Sequence, residues 1–251
     1  MLRSGLRALA LMTWALMALA LMAIAGPAQA GCAEVTFEAN DYAVCRFDLR
    51  EDHLQVFNSG ADGEPYGSFQ ALDDALREHG KSLVFGMNAG MFDDRLKPIG
   101  LYVEAGRKHK KLNRRNGPGN FHLKPNGVFF IAGETGGVIE TEAYAKSGLK
   151  VDHASQSGPM LVVDGEIHPK LSKDSKSLKR RNGVGAVDEH TLVFVISQSA
   201  VNFHAFARLF RNRLYCRNAL FLDGSISSLY APELGRRDSF FPLGPIVGLV
   251  R

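Results

Sequence analysis

Apolar residues in this chain gather in short runs that end abruptly in small polar turns. Ala219 to Leu222 is one such run, the pattern of a buried strand, and it stops at Asp223-Gly224-Ser225. Upstream, Phe203, Phe206, Ala207, Phe210 and Leu214 recur at helical spacing behind Asn202, a residue type suited to an N-cap. Thr191 to Ser197, before them, reads as another strand. Strand, helix and strand in this order make a βαβ-like unit, and ligands collect at the carboxyl ends of such strands. Asp223 sits at that kind of end, where an Asp also serves simply to cap a tight turn.

The same order appears earlier in the chain. His53 to Phe57 reads as a strand, and Ser68 caps a helix that turns Phe69, Leu72 and Leu76 inward and ends at Gly80. Ser82 to Gly86 is the next strand, and it runs into Met87-Asn-Ala-Gly-Met-Phe92. Two units of this kind, side by side, would bring two polar turns into one pocket. Between them the pattern is mostly β. Pro98 to Val103 reads as a strand, and Gly127–Ala132 with Gly137–Thr141 as a hairpin around Gly133 to Gly136. Met160–Val163 and Glu166–His168 form another around Asp164-Gly165, a type I′ turn signal. Phe241 to Val250 is a last strand, and Pro242 and Pro245 mark it as an edge or irregular one. The pattern predicts a single α+β domain with a mixed β-sheet system and about two main helices.

The first 30 residues stand apart from this pattern. Arg3 and Arg7 precede an apolar run from Ala8 to Ala25, and Ala28-Gln-Ala30 supplies small residues at cleavage spacing. This predicts a signal peptide over 1–30, a folded domain over 31–251 and a periplasmic or secreted location. Three cysteines then leave one pair and one thiol. Cys32 and Cys45 flank a hairpin that turns at Glu38 to Asp41, so a disulfide between them is expected. Cys216 is expected to be a buried free thiol.

Composition excludes more than it proposes. The formal charge of +4 moves closer to balance when Arg3 and Arg7 leave with the leader. Two basic stretches, 107–115 and 170–181, lack the interleaved aromatics of a nucleic-acid groove. They read as solvated loops or as the rim of a site for an anionic substrate. No second apolar run is long enough to span a membrane. The eight histidines fall at no metal-ligand spacing, and no Cys-x-x-Cys or Gly-x-Ser-x-Gly occurs, so neither a metal, a cofactor nor a serine-hydrolase elbow is expected.

Four short motifs stand in order: Asn88-Ala-Gly-Met-Phe92, Gln156-Ser-Gly-Pro-Met-Leu161, Arg181-Asn-Gly-Val-Gly185 and Leu222-Asp-Gly-Ser225. Together they resemble the phosphodiester glycosidase family, in a bacterial exported branch, over roughly residues 45 to 250. In that family further glycines stand where this chain has Ala89 and Ser225-Ile226, positions that set pocket width. The resemblance implies hydrolysis of a sugar 1-phosphodiester, in which phosphate needs a cation and the anomeric carbon becomes oxocarbenium-like. It implies Arg181 at the phosphate, Asp223 at the anomeric carbon, and Asn88 and Ser225 on sugar or phosphate oxygens. Gly183 and Gly185 would let the backbone approach the phosphate, and Asn202 would present a helix amino end. Gly90, Gln156, Ser157, Gly158 and Gly224 complete the implied substrate contacts. Asp93, Asp94 and Glu104 are candidates for a second carboxylate. The implied partner is a phosphorylated glycan or glycosyl phosphodiester. A non-catalytic domain that binds envelope or other anionic glycans on the same fold is the alternative, and the presence of both Arg181 and Asp223 favours the enzyme.

Overall fold

The computed structural model describes residues 31–224 and 226–251. The expected leader, its cleavage site and Ser225 lie outside the described residues. Strands β1 (Gly31–Phe37) and β2 (Asn40–Asp48) form the expected hairpin. Its turn is tighter than expected, with Glu38 and Ala39 at φ 48 and 61, the left-handed pair that matches strand twist in a two-residue loop. Cys32 pairs in register with Cys45, and the two form a disulfide.

Next come β3 (Leu54–Phe57), helix α1 (Phe69–Arg77) and β4 (Leu83–Asn88). Ser68 caps α1 by accepting from the Ala71 N–H at 3.1 Å. Strand β5 (Tyr102–Glu104) is shorter than the predicted one, and β6 (Arg107–Lys110) is a fully exposed edge whose charges discourage further pairing. Strands β7 (Gly127–Ala132) and β8 (Thr135–Glu140) turn through Gly133-Glu134, a shorter loop than expected. Helix α2 (Thr141–Ser147) was not predicted, because its sequence carries no apolar stripe. It exists through its ends: Glu140 accepts from the N–H groups of Glu142 and Ala143, and Gly148 closes it in the left-handed region.

The remaining strands are β9 (His153–Ser157), β10 (Met160–Val163), β11 (Glu166–Ile167), β12 (Asn182–Ala186) and β13 (Thr191–Ser197). Helix α3 (Phe203–Arg208) follows and passes into a π-helical turn over Leu209–Arg213. Strands β14 (Asn218–Phe221), β15 (Leu229–Ala231), β16 (Arg236–Arg237) and β17 (Ile246–Val250) end the chain.

These strands form three sheets, ordered β1-β2-β13-β12-β14-β10-β11, β16-β15-β4-β17-β3 and β6-β5-β9-β7-β8. Where mixed pairing was expected, every described ladder is antiparallel. The reason lies in both strand-helix-strand units. β3 and β4 run parallel to each other but each pairs with β17, which lies between them. β13 and β14 are likewise parallel and separated by β12. β17 is therefore an interior strand rather than an edge. Its ladder with β4 is irregular, as the alternative expectation had it, shifting register between Leu249 and Val250. Pro242 and Pro245 precede its first residue, so neither removes a donor from its ladder.

The sheets share one aromatic centre. Phe194 on β13 lies 5.4 Å from Phe85 on β4 and 5.6 Å from Phe129 on β7, so each sheet contributes a ring. All three are buried to 2% exposure or less, and such pairs add about 0.5–1.5 kcal/mol each beyond area burial.

Candidate active site

Strand β4 leaves its ladder just after Asn88, where Ala89 donates to the carbonyl of Pro245 at 2.7 Å and Gly90 to Ser155 Oγ at 3.0 Å. A Cβ at Gly90 would stand 2.4 Å from that hydroxyl and 2.5 Å from the Gln156 carbonyl, so only glycine fits the approach. Strand β14 ends in the same neighbourhood. Leu222 donates to the Asn182 carbonyl at 3.1 Å, and the next N–H, that of Asp223, donates to Asn182 Oδ1 at 2.9 Å.

Asn182 joins the two strand ends. Its Nδ2 donates to both the carbonyl and Oδ1 of Asn88, at 2.9 Å each. Asn88 Oδ1 also accepts the Ser228 N–H at 2.8 Å, and Ser227 Oγ donates to the Asp223 carbonyl at 2.7 Å. Asn88 and Asn182 are both at 0% exposure. With Oδ1 held by two donors, the Asn88 amide orientation is set, and Nδ2 is a buried donor with no partner among the described residues. A buried orphan of this kind costs about 1–3 kcal/mol. The backbone of Asp223, a half-buried residue, is thus held at both its N–H and its carbonyl.

Arg181 precedes Asn182. Arg181 enters β12 and Asp223 follows β14, and these two strands are antiparallel neighbours. Arg181 is 1% exposed, and its guanidinium donates through Nε to the Val201 carbonyl and through Nη2 to the Ser177 carbonyl at 2.8 Å each and lies 3.6 Å from the Phe203 ring centroid. Among the described residues no carboxylate forms an ion pair with it. Burial pushes its pKa down to about 10.

Other residues expected at the site have work inside the protein. Gln156 Oε1 accepts from the N–H groups of Leu101 and Asn113, and its Nε2 donates to the Asn113 carbonyl and Thr141 Oγ1. Ser157 Oγ donates to the Leu222 carbonyl at 2.6 Å, bracing the strand end from behind. A Cβ at Gly158 would meet Asn126 and the Phe121 carbonyl at 2.7 Å. At Gly183 it would meet the Leu220 carbonyl at 2.8 Å, and at Gly185 Cys216 Sγ at 2.6 Å and Phe210 at 2.7 Å. These two glycines let α3 seat on the sheet, so the space beside them is filled by protein. Asn202 caps α3 through Oδ1, which accepts the Ala205 N–H at 2.8 Å, while Nδ2 donates to the Lys173 carbonyl. Gly224 packs over the Phe221 ring. Asp93 builds its own turn by accepting from Arg95 and Lys97, Asp94 is exposed, and Glu104 faces a separate cavity. Cys216 is a buried free thiol, pushed up to about 12 by burial. Sequence reasoning passed over Asn182, although it stands inside the Arg181–Gly185 motif; a carboxamide in a glycine-rich strand was the available signal.

The sequence profile of phosphodiester glycosidases matches residues 81–239, a span holding Asn88, Arg181, Asn182 and Asp223. The chain belongs to the phosphodiester glycosidase family. It is 37% identical over 179 residues to the uncharacterized protein YigE of Escherichia coli (strain K12), covering 71% of this chain and 70% of YigE. Among solved structures, the zebrafish N-acetylglucosamine-1-phosphodiester alpha-N-acetylglucosaminidase catalytic domain, auto-inhibited by its pro-peptide, superposes with a TM-score of 0.59. That match covers 87% of this chain and 81% of the other at 14% identity. A hypothetical protein from Synechocystis gives a TM-score of 0.54 at 12% identity, covering 87% of this chain and 61% of that one. At these identities the likeness is one of fold. The strand ends described above are therefore the part of a phosphodiester glycosidase fold where this chain brings its polar motifs together.

Proposed function

We propose that this protein is an exported hydrolase that cleaves a glycosyl phosphodiester, with Asp223 acting at the anomeric carbon and Arg181 neutralising the phosphate. The observation that carries this reading is the buried guanidinium of Arg181, on the residue before Asn182, which forms no ion pair among the described residues. Burying an ion costs several kcal/mol. A desolvated cation–π contact such as that with Phe203 returns about 2 kcal/mol, and two carbonyl hydrogen bonds leave the charge itself uncompensated. An anionic ligand reaching the guanidinium would supply the missing charge, and a phosphodiester carries it.

In the reaction the C1–O bond breaks, the bridging oxygen leaves with the phosphate as a monoester, and water's oxygen ends on the sugar. A phosphate leaving group needs little protonation, so the chain's task is to hold its charge and to act at C1 through Asp223, as base, nucleophile or stabiliser of the oxocarbenium character. In this reading Asn88 Nδ2 donates to a substrate oxygen, which would relieve its orphaned state. The disulfide supports export, since such bonds persist in oxidising compartments, and no described helix is long and apolar enough to cross a membrane.

The test is a screen of purified protein against a panel of sugar 1-phosphodiesters, with release of free sugar and phosphomonoester as the readout. Turnover of at least one member supports the reading. Tight binding of several members with no product from any would overturn it in favour of a glycan-binding domain.

A further inference from the structure

The end of the sheet that carries Asn88 holds a second polar concavity. Because β3 runs parallel to β4 with β17 between them, Asn58 leaves the sheet at the same end as Asn88, about 10 Å away across two strand spacings. There the loop after β3 and the β5–β6 hairpin enclose a cavity of ≈ 690 Å³, a size typical of small-molecule sites. Its floor consists of hydrogen-bond acceptors. Asn58 is 5% exposed, its Nδ2 donates to Ser59 Oγ at 2.8 Å, and its buried Oδ1 accepts nothing among the described residues. Glu104, which lines the same cavity, accepts from the Tyr102 hydroxyl at 2.7 Å. Burial holds the Glu104 carboxyl above its usual range, so its environment is partly dry.

The rim has the opposite character. Arg107, His109 and Lys110 on the exposed β6 strand line the opening, and none of them forms an ion pair among the described residues. Buried acceptors call for hydroxyl donors, and the unpaired Arg107 and Lys110 call for an anion. A neutral sugar would use only the floor, and a bare phosphate only the rim.

We infer that this cavity binds a monosaccharide carrying one anionic group, whose hydroxyls donate to Asn58 Oδ1 and Glu104 and whose anion faces Arg107, His109 and Lys110. The site requires no turnover and stands whether or not Asp223 hydrolyses anything.

Calorimetric titration of the purified protein with glucose 6-phosphate, glucuronate, glucose and inorganic phosphate tests it. The two anionic sugars should each bind at least about 10-fold more tightly than glucose or phosphate, the scale of one charge-assisted hydrogen bond. The double variant Arg107→Ser/Lys110→Ser, confined to exposed positions, should lose that advantage and leave glucose binding unchanged. Glu104→Gln should weaken both anionic sugars. Glucose 6-phosphate is a monoester, so diester hydrolysis does not affect the result. Absence of binding by either anionic sugar at about 10 mM, equal binding of phosphate alone, or a rim variant that titrates as wild type would each overturn the assignment.

Discussion

The two strand-helix-strand units, β3-α1-β4 and β13-α3-β14, follow one plan and do different things with it. Each opens its helix with a side-chain cap, Ser68 on the Ala71 N–H and Asn202 on the Ala205 N–H. Each has a third strand inserted between its parallel pair, and each seats its helix over a glycine, Gly86 beneath Phe69 and Gly185 beneath Phe210. The difference lies in the inserted strand. In the first unit β17 sets Ile246, an apolar residue, opposite Asn88. In the second β12 brings Arg181 and Asn182, a buried cation and a carboxamide that reaches across to the other unit. A repeated scaffold thus becomes a site where an inserted strand turns polar at its entry.

The largest effect should come from the strand end itself. Asp223→Asn is expected to preserve the fold and lower turnover roughly 100- to 10,000-fold, the range for losing a catalytic acid or base. A variant with full activity on a diester the wild type cleaves would move the chemistry to the Asn88 turn.

Next comes the contrast between the inserted strands. Asn182→Leu removes the carboxamide bonds to the Asn88 carbonyl and Oδ1 and to the Asp223 N–H, leaving Asn88 Oδ1 only the Ser228 N–H, which should cost at least about 3 kcal/mol in urea unfolding. Ile246→Val, at the matching place in the first unit, should cost about 0.5–1.5 kcal/mol. Equal costs would mean that the carboxamide bridge contributes no more than ordinary packing.

Helix seating is the shared feature, and alanine at either glycine probes it. Gly185→Ala would press a Cβ to 2.6 Å from Cys216 Sγ, and Gly86→Ala to 2.8 Å from the Phe69 ring. Each should lose about 1–3 kcal/mol from overpacking, with Gly185 the more sensitive because two neighbours must yield. If Gly86→Ala melts at the wild-type temperature, the units do not share their seating.

The caps should give the smallest change. Ser68→Ala and Asn202→Ala are each expected to cost about 1 kcal/mol, with Asn202 slightly higher because its Nδ2 also holds the Lys173 carbonyl. A thermal shift confined to one of them would show that only one helix depends on its cap.

Local order in the chain was written into its sequence. The β1–β2 hairpin, the Asp164-Gly165 turn, both capped helices and most strands follow from periodicity and turn chemistry, which act over a few residues. The motifs around Asn88 and Asp223 were equally visible, because a small polar turn after an apolar run needs no partner to be noticed. What the tertiary structure decided is which strands lie side by side. An apolar run such as Ile246–Val250 has one pattern whether it sits at an edge or between β3 and β4, and its position is set by pairing across more than a hundred residues of chain. The same holds for glycines 183 and 185, whose missing side chains make room for Phe206, Phe210 and Cys216. It holds above all for Asn182, whose partners Asn88 and Asp223 are 94 and 41 residues away. A hydrogen bond of that reach leaves no periodic trace, so only the folded chain shows that these three residues form one cluster.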